Sequence, residues 1–167
     1  ILGWNYRMCE VEAALALAQF NNLETNINWR ISLASYMTEK LSKIDGLTPP
    51  MTQPDCRHSF YTYAVKFNKE VIGIHRDEFQ KRMVERGVYF GSGYVKPIYL
   101  QSIYQKRNHD VYKYFGKEVD YSEGLCPVTE RMWREELMVT DIFKMPMTKN
   151  DCDEAIKVVK EVIKDAH

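Results

Sequence analysis

The chain has 167 residues, of which 45% are hydrophobic and 28% charged, and its 23 basic side chains balance 23 acidic ones to a net charge of zero. That length supports one domain with a real core, and that composition excludes a disordered or collagen-like chain. The balanced charge leaves no broad basic field for nucleic acid, and no apolar run approaches the ~20 residues that span a bilayer.

Residues 1–8 read as an extended arm. They start at Ile1 and run into Gly3-Trp4-Asn5-Tyr6-Arg7-Met8, as the interior of a longer protein would. From Glu10 to about Ile44 the apolar residues Val11, Ala14, Leu15 and Ala18, then Phe20, Leu23, Ile27, Ile31, Ala34, Met37 and Leu41, recur at helical spacing. Asparagine is a poor interior helix former, so Asn21-Asn22 and Asn26 predict a bend or break over 21–26. Asp45-Gly46 closes the segment. Pro49, Pro50 and Pro54 make 47–57 a loop.

His58 to Phe67, rich in Tyr, Phe and Val, reads as a strand, and Asn68 to Gly73 as a turn. His75 to Arg86 reads as a helix stopped by Gly87. A short strand over Val88–Phe90 is followed by a bend at Gly91-Ser92-Gly93. Pro97 to Tyr104 is a short helix, and the polar, aromatic stretch from Tyr99 to Phe115 is irregular. Pro127 opens a helix reaching about Glu136. Leu137–Phe143 is strand-like. Thr148-x-x-Asp151 is a capping-box variant that opens a last helix with Ile156, Val159 and Ile163 on one face. These elements predict an α+β fold, a small, mainly antiparallel sheet covered by helices with a long helix at the amino-terminal end.

The residues alone offer no self-contained catalytic set. Cys9, Cys56, Cys126 and Cys152 lie far apart without a C-x-x-C pair, which does not support a zinc knuckle and predicts free thiols in a reducing cytosol rather than a disulfide framework. His58, His75, His109 and His167 lack metal-ligand spacing. No phosphate-cradling glycine loop or nucleophile elbow is present. Glu130, Glu135, Glu136 and Asp141 read as a solvated helix face.

A resemblance goes further. Residues 3–14, Gly3-Trp4-Asn5-Tyr6-Arg7-Met8-Cys9-Glu10-Val11-Glu12-Ala13-Ala14, followed by Gln19, resemble the G-x-N-Y-R-M-x-E-x-x-A-A…Q signature of the DegT/DnrJ/EryC1/StrS family. Arg57-His58-Ser59-Phe60-Tyr61 resembles its His-aromatic strand. Arg76-Asp77 through Arg86-Gly87-Val88 is similar to its helix and following strand. Gly93-Tyr94-Val95-Lys96-Pro97 through Gln101 resembles its Y-x-x-P loop. Cys126-Pro127 and Pro146-Met147-Thr148 resemble its closing segments. Many relatives carry histidine where Gly93 and Tyr99 stand.

The resemblance implies the carboxyl-terminal part, the small domain, of a pyridoxal-phosphate-dependent sugar aminotransferase of fold type I, with residues 1–8 as an arm and 9–167 as the domain. It implies a cytoplasmic homodimer whose missing large domain carries the cofactor lysine. No cofactor is then expected for this chain alone, and no transamination, since the lysine segment lies outside it. It further implies that Asn5 reaches the cofactor phosphate of the partner subunit, and that His58, Tyr61, Tyr94 and Lys96 face a nucleotide-sugar substrate. The alternative is a standalone, non-catalytic remnant acting as a binding or dimerisation module.

Overall fold

The computed structural model describes residues 6–106, 119–141 and 143–167. Asn5, His109 and most of the aromatic stretch read as irregular lie outside the described residues.

Two helices, α1 (Glu10–Phe20) and α2 (Leu23–Leu41), occupy the first third. They part at Asn21-Asn22, within the predicted break. The Cys9 amide donates to Glu12 Oε2 at 3.0 Å and starts α1. Gly46, at φ +86°, turns the chain after α2. The loop expected over 47–57 instead begins with a two-residue strand, β1 (Leu47–Thr48), because Leu47 is buried and pairs with Phe67.

Strand β2 (Tyr63–Phe67) is shorter than the sequence predicted. Its expected start is occupied by a turn: the Phe60 amide donates to His58 Nδ1 at 2.8 Å, and Phe60 takes φ +48°. The turn at 68–73 contains a single helical turn, α3 (Lys69–Ile72), capped by the Asn68 side chain. Helix α4 (Arg76–Glu85) follows, with the His75 side chain accepting from the Asp77 amide.

The strand expected at Val88–Phe90 lies two to three residues later, as β3 (Gly91–Ser92). Pairing with a neighbouring strand, rather than local apolar content, decides that register. A 3-10 turn (Ile98–Leu100) and α5 (Ser102–Lys106) replace the single helix expected there. Pro127 does start a helix, α6 (Pro127–Arg131), which widens into a π-helical turn (Met132–Glu136) before β4 (Leu137–Thr140). Helix α7 (Lys149–Lys164) starts at the expected capping box, with the Thr148 amide and hydroxyl both donating to Asp151 Oδ2, at 2.6 and 2.7 Å.

The four strands form one antiparallel sheet in the order β1-β2-β4-β3. Tyr63 pairs with Thr140 and Val65 with Met138, all four buried. Their side chains share one face because strand side chains alternate. Leu33, Met37 and Leu41 of α2, Phe79 and Met83 of α4, and Ile156, Val159 and Val162 of α7 complete that core. The sheet is thus covered by helices on one face, as the sequence predicts. Inside, Tyr63 is edge-on to Phe143 at 5.0 Å, and its hydroxyl bonds the Thr38 hydroxyl at 2.8 Å. All four cysteines are free thiols, and burial pushes Cys152 up to about 11. No helix among the described residues is long and apolar enough to cross a membrane.

Helix α1 stands apart from this core. None of its residues is buried, and Val11, Leu15, Leu17 and Phe20 are all largely exposed.

Candidate functional site

The face of the sheet opposite the helices holds a cleft of about 390 Å³. Ala64 pairs with Val139 on this second face, and Val139 lines the cleft. Around it stand Tyr61 before β2, Tyr89, Gly91 and Gly93 in and beside β3, Tyr94, and Asp141 after β4. The left-handed turn at Phe60 explains Tyr61. It sends the Phe60 side chain into the core, 7% exposed, while Tyr61 remains 74% exposed.

Gly93 shapes the other wall. Its φ is +67°, and a Cβ there would lie 2.7 Å from the Trp133 carbonyl oxygen. Its amide donates to the Leu137 carbonyl at 2.6 Å. Only a residue without a side chain fits both requirements. Tyr94 follows directly and is thereby turned toward the cleft.

Of the four side chains that the resemblance assigned to substrate, Tyr61 and Tyr94 meet here. His58 does not line the cleft. Its ring stacks on Phe60 at 4.2 Å, and its Nδ1 is engaged by the Phe60 amide, which places the proton of the neutral ring on Nε2. His58 thus supports the turn that presents Tyr61. Lys96 also lies outside the lining, as an exposed side chain whose backbone carbonyl accepts from Gln101 Nε2 at 3.0 Å.

Two further residues, neither expected at a site, line the cleft. Tyr89 lies at the cleft, although nothing in its local sequence marks it. Asp141, expected on a solvated helix face, follows a strand and lines the cleft instead. The helix ends at Glu136, as the sequence predicts, and Asp141 follows the strand expected over Leu137–Phe143. Lys144 donates to Asp141 Oδ2 at 2.6 Å and holds its carboxyl below the ordinary range.

Glu130 also departs from the expected solvated face. It is buried, 7% exposed, and accepts from the Tyr99 hydroxyl and, at 2.8 Å, from the Gly124 amide. The Tyr99 bond, with help from Gly124 and Cys126 backbone, lowers the Glu130 pKa, while burial and then the neighbouring carboxylate push Tyr99 up to about 12. A carboxyl depressed in the folded state stabilises the fold above its unfolded value, near 4.5, and that contribution is lost as pH falls through the folded value. We expect Glu130→Gln to lower the thermal midpoint at pH 7, and the wild-type and variant curves to converge in acid. Curves that stay parallel down to pH 2 would show that the carboxylate adds nothing.

The relatives and neighbouring folds define the class. The model of the DegT/DnrJ/EryC1/StrS aminotransferase family matches residues 1–163, and the chain belongs to this family. Spore coat polysaccharide biosynthesis protein SpsC of Bacillus subtilis is 24% identical over 164 residues, covering 98% of this chain and 39% of that protein. GDP-perosamine synthase of Caulobacter vibrioides is 29% identical over 89 residues, covering 53% of this chain and 24% of that protein. The crystal structure of the aminotransferase TlmJ from Streptoalloteichus hindustanus shares the fold with a TM-score of 0.69 at 25% identity, over 94% of this chain and 37% of that one. The chain spans about 40% of the length of the curated relatives it matches.

The family is pyridoxal-phosphate-dependent. No lysine lines the tyrosine cleft.

Proposed function

We propose that this chain is the carboxyl-terminal portion of a pyridoxal-phosphate-dependent aminotransferase that acts on keto-sugars, nucleotide-linked ones among them. The observation that carries this reading is the family match over residues 1–163, set beside the chain's span of about 40% of its relatives. In this reading residues 1–8 are an arm and residues 9–167 the small domain. The cofactor supplies the electron sink for transamination, and its lysine belongs to a large domain outside these residues. Asn5 reaches the cofactor phosphate in the partner subunit through its side-chain amide. Tyr61 and Tyr94 face the sugar, with His58 behind Tyr61 and Lys96 further along the rim. The complete protein works as a homodimer in the cytoplasm.

Two experiments test this reading. Sequencing the source DNA upstream of the Ile1 codon is expected to show an open frame that continues into a serine-rich, lysine-bearing segment. A start codon immediately upstream would overturn it in favour of a standalone module. Incubating the 167-residue chain with pyridoxal phosphate and then borohydride is expected to give no stoichiometric adduct at any one lysine. Such an adduct would place a Schiff-base lysine here after all.

The bare apolar surface of α1 supports the partners named. Val11 is 78% exposed, Leu15 64%, Leu17 68% and Phe20 67%, so large apolar side chains are bare around the helix rather than along one side of it. We expect the isolated chain to self-associate through this helix, and Leu15→Glu with Phe20→Glu to return it to monomer. A monomeric sedimentation profile for the parent chain at high concentration would remove this support.

A further inference from the structure

Among the described residues, Phe60 is the one residue other than glycine that takes a left-handed backbone, at φ +48°. A bulky side chain is strained there, and such strain persists only where the surroundings hold it. Three contacts hold it. The buried Phe60 ring lies 6.0 Å from that of Tyr63, the His58 ring stacks on it at 4.2 Å, and the Phe60 amide donates to His58 Nδ1 at 2.8 Å. The first two survive protonation of the imidazole. The third does not: Nδ1 accepts only while it keeps its lone pair, and in the imidazolium it carries a hydrogen that faces the amide, donor against donor. Histidine is the side chain that ordinarily exchanges these two forms between pH 5 and 8.

The surroundings offer the charged ring no compensating partner. Arg57, next in the chain, is itself a cation, and its Nη2 donates to Glu24 and Asn28 of α2 at 2.7 and 2.9 Å. Glu39 of α2, near Phe60 in the hollow behind the turn, is bonded by Lys43 at 2.7 Å. The Tyr63 hydroxyl, pushed up to about 12 by burial, stays neutral across this range. Asp55 and the exposed Cys56 thiol precede His58 in the loop, yet His58 makes no ion pair among the described residues. His75 is the contrast. Its Nδ1 also accepts from the amide two residues on, at 3.2 Å, but Asp77 Oδ2 lies 3.7 Å away and receives the imidazolium.

We propose that His58 is a positioning residue with a pH threshold: its neutral imidazole holds the left-handed turn at Phe60, and its protonation releases the turn and carries Tyr61 off the cleft. The tyrosine wall is then complete on the alkaline side of the imidazole's titration and incomplete on the acid side. The wall formed by β3 and β4 is held by strand pairing and stays in place. The inference rests on the proposed function only for what Tyr61 meets, and the turn is tested without any ligand.

The test is a pH titration of the isotopically labelled 167-residue chain, from pH 8 to pH 5, that follows the imidazole nitrogens and the backbone amides by NMR. At pH 8 His58 is expected to carry its proton on Nε2. As the pH falls, the Phe60 and Tyr61 amides are expected to move with the midpoint of the His58 ring. Exchange of the Phe60 amide, referenced to the unstructured rate at each pH, is expected to speed up about tenfold, the loss of one hydrogen bond. His58→Asn supplies a side-chain oxygen that accepts from the amide two residues on at every pH, and it is expected to keep the Phe60 amide protected down to pH 5. His58→Phe keeps a ring against Phe60 without an acceptor, and it is expected to show the fast exchange already at pH 8. The Val65 and Met138 amides, paired in the sheet, report whether each variant is folded, and the titration of the parent chain decides alone where one is not. The proposal is overturned if the His58 ring stays in one form from pH 8 to pH 5, or if it titrates while Phe60 protection is unchanged. It is equally overturned if His58→Asn loses protection with the parent's midpoint, or if folded His58→Phe protects Phe60 as the parent does at pH 8. None of these results bears on whether a lysine-bearing segment lies upstream, so the failure of this inference and that of the aminotransferase reading are separable.

Discussion

Arg76→Met is expected to cost this chain much of its stability. Arg76 is 3% exposed, and its guanidinium is spent entirely on the protein. Nη1 donates to the carbonyls of Trp133 at 2.7 Å and Leu137 at 3.1 Å, and Nη2 to that of Arg134 at 2.7 Å. Nε and Nη2 also donate to Asp77 Oδ1. The three carbonyls end the π-helical turn and begin β4, where helix geometry leaves acceptors without amide partners. Methionine fills much of the volume but takes this donor from the Trp133 and Arg134 carbonyls, while the Leu137 carbonyl keeps the Gly93 amide. Each orphaned group costs about 1–3 kcal/mol, so a total near 4 kcal/mol is expected, and a fall in Tm of roughly 10 °C. Arg76→Lys should recover little, since one ammonium cannot span three carbonyls as the planar fork does. Asp77→Asn, at an exposed partner, should cost less than about 1 kcal/mol. Urea melts of the three variants check the order. Equal losses for Arg76→Met and Asp77→Asn would show that the ion pair, not the carbonyl clamp, is what matters.

Gly93→Ala is the second large effect, and it reaches the cleft as well as stability. The residue sits at φ +67°, where an L side chain costs about 1–2 kcal/mol. The added Cβ also meets the Trp133 carbonyl oxygen at 2.7 Å and the edge of its indole at 3.0 Å. That carbonyl is held by Arg76, so it cannot withdraw without breaking the clamp. A combined loss of about 3 kcal/mol is expected, with the amide shifts of Tyr94 and Ser92 displaced even where the variant remains folded. Gly87→Ala provides the comparison: its φ is also positive, at +82°, but nothing lies within 4 Å of a Cβ there. It should cost the backbone share alone. If both glycines lose the same amount, the contact with Trp133 is without consequence.

Several structural features were legible in the sequence because they are local. The break at Asn21-Asn22, the start of α6 at Pro127 and the capping box of Thr148 and Asp151 are each decided within four or five residues. The apolar spacing of α2 and α7 named many core residues correctly, among them Met37, Leu41, Ile156 and Val159. The same spacing also ran through α1, whose apolar residues are exposed, since periodicity reports that a helix has an apolar side and not what covers it. The α+β class and the family likewise stood in the sequence, the latter in a run of unusual residues at fixed spacing.

Other features were decided only when distant segments met. The strand expected at Val88–Phe90 moved to Gly91–Ser92, because β4 supplies the partner and a strand's register belongs to the pair. Glu130 and Asp141 looked alike in the sequence. One became buried because Tyr99 and Gly124 close over it, and the other came to the cleft because β4, which it follows, pairs between β2 and β3. Tyr61 and Asp141 lie 80 positions apart, with Tyr89 and Tyr94 between them, and no local pattern joins the four. The sequence by itself determined the family, the helices and their caps, since these depend on backbone preferences and side-chain period over a few residues. The tertiary structure decided which carboxylates are buried, which tyrosines share a cleft and why position 93 is glycine, since these depend on hydrogen bonds and contacts between segments that only the folded sheet brings together.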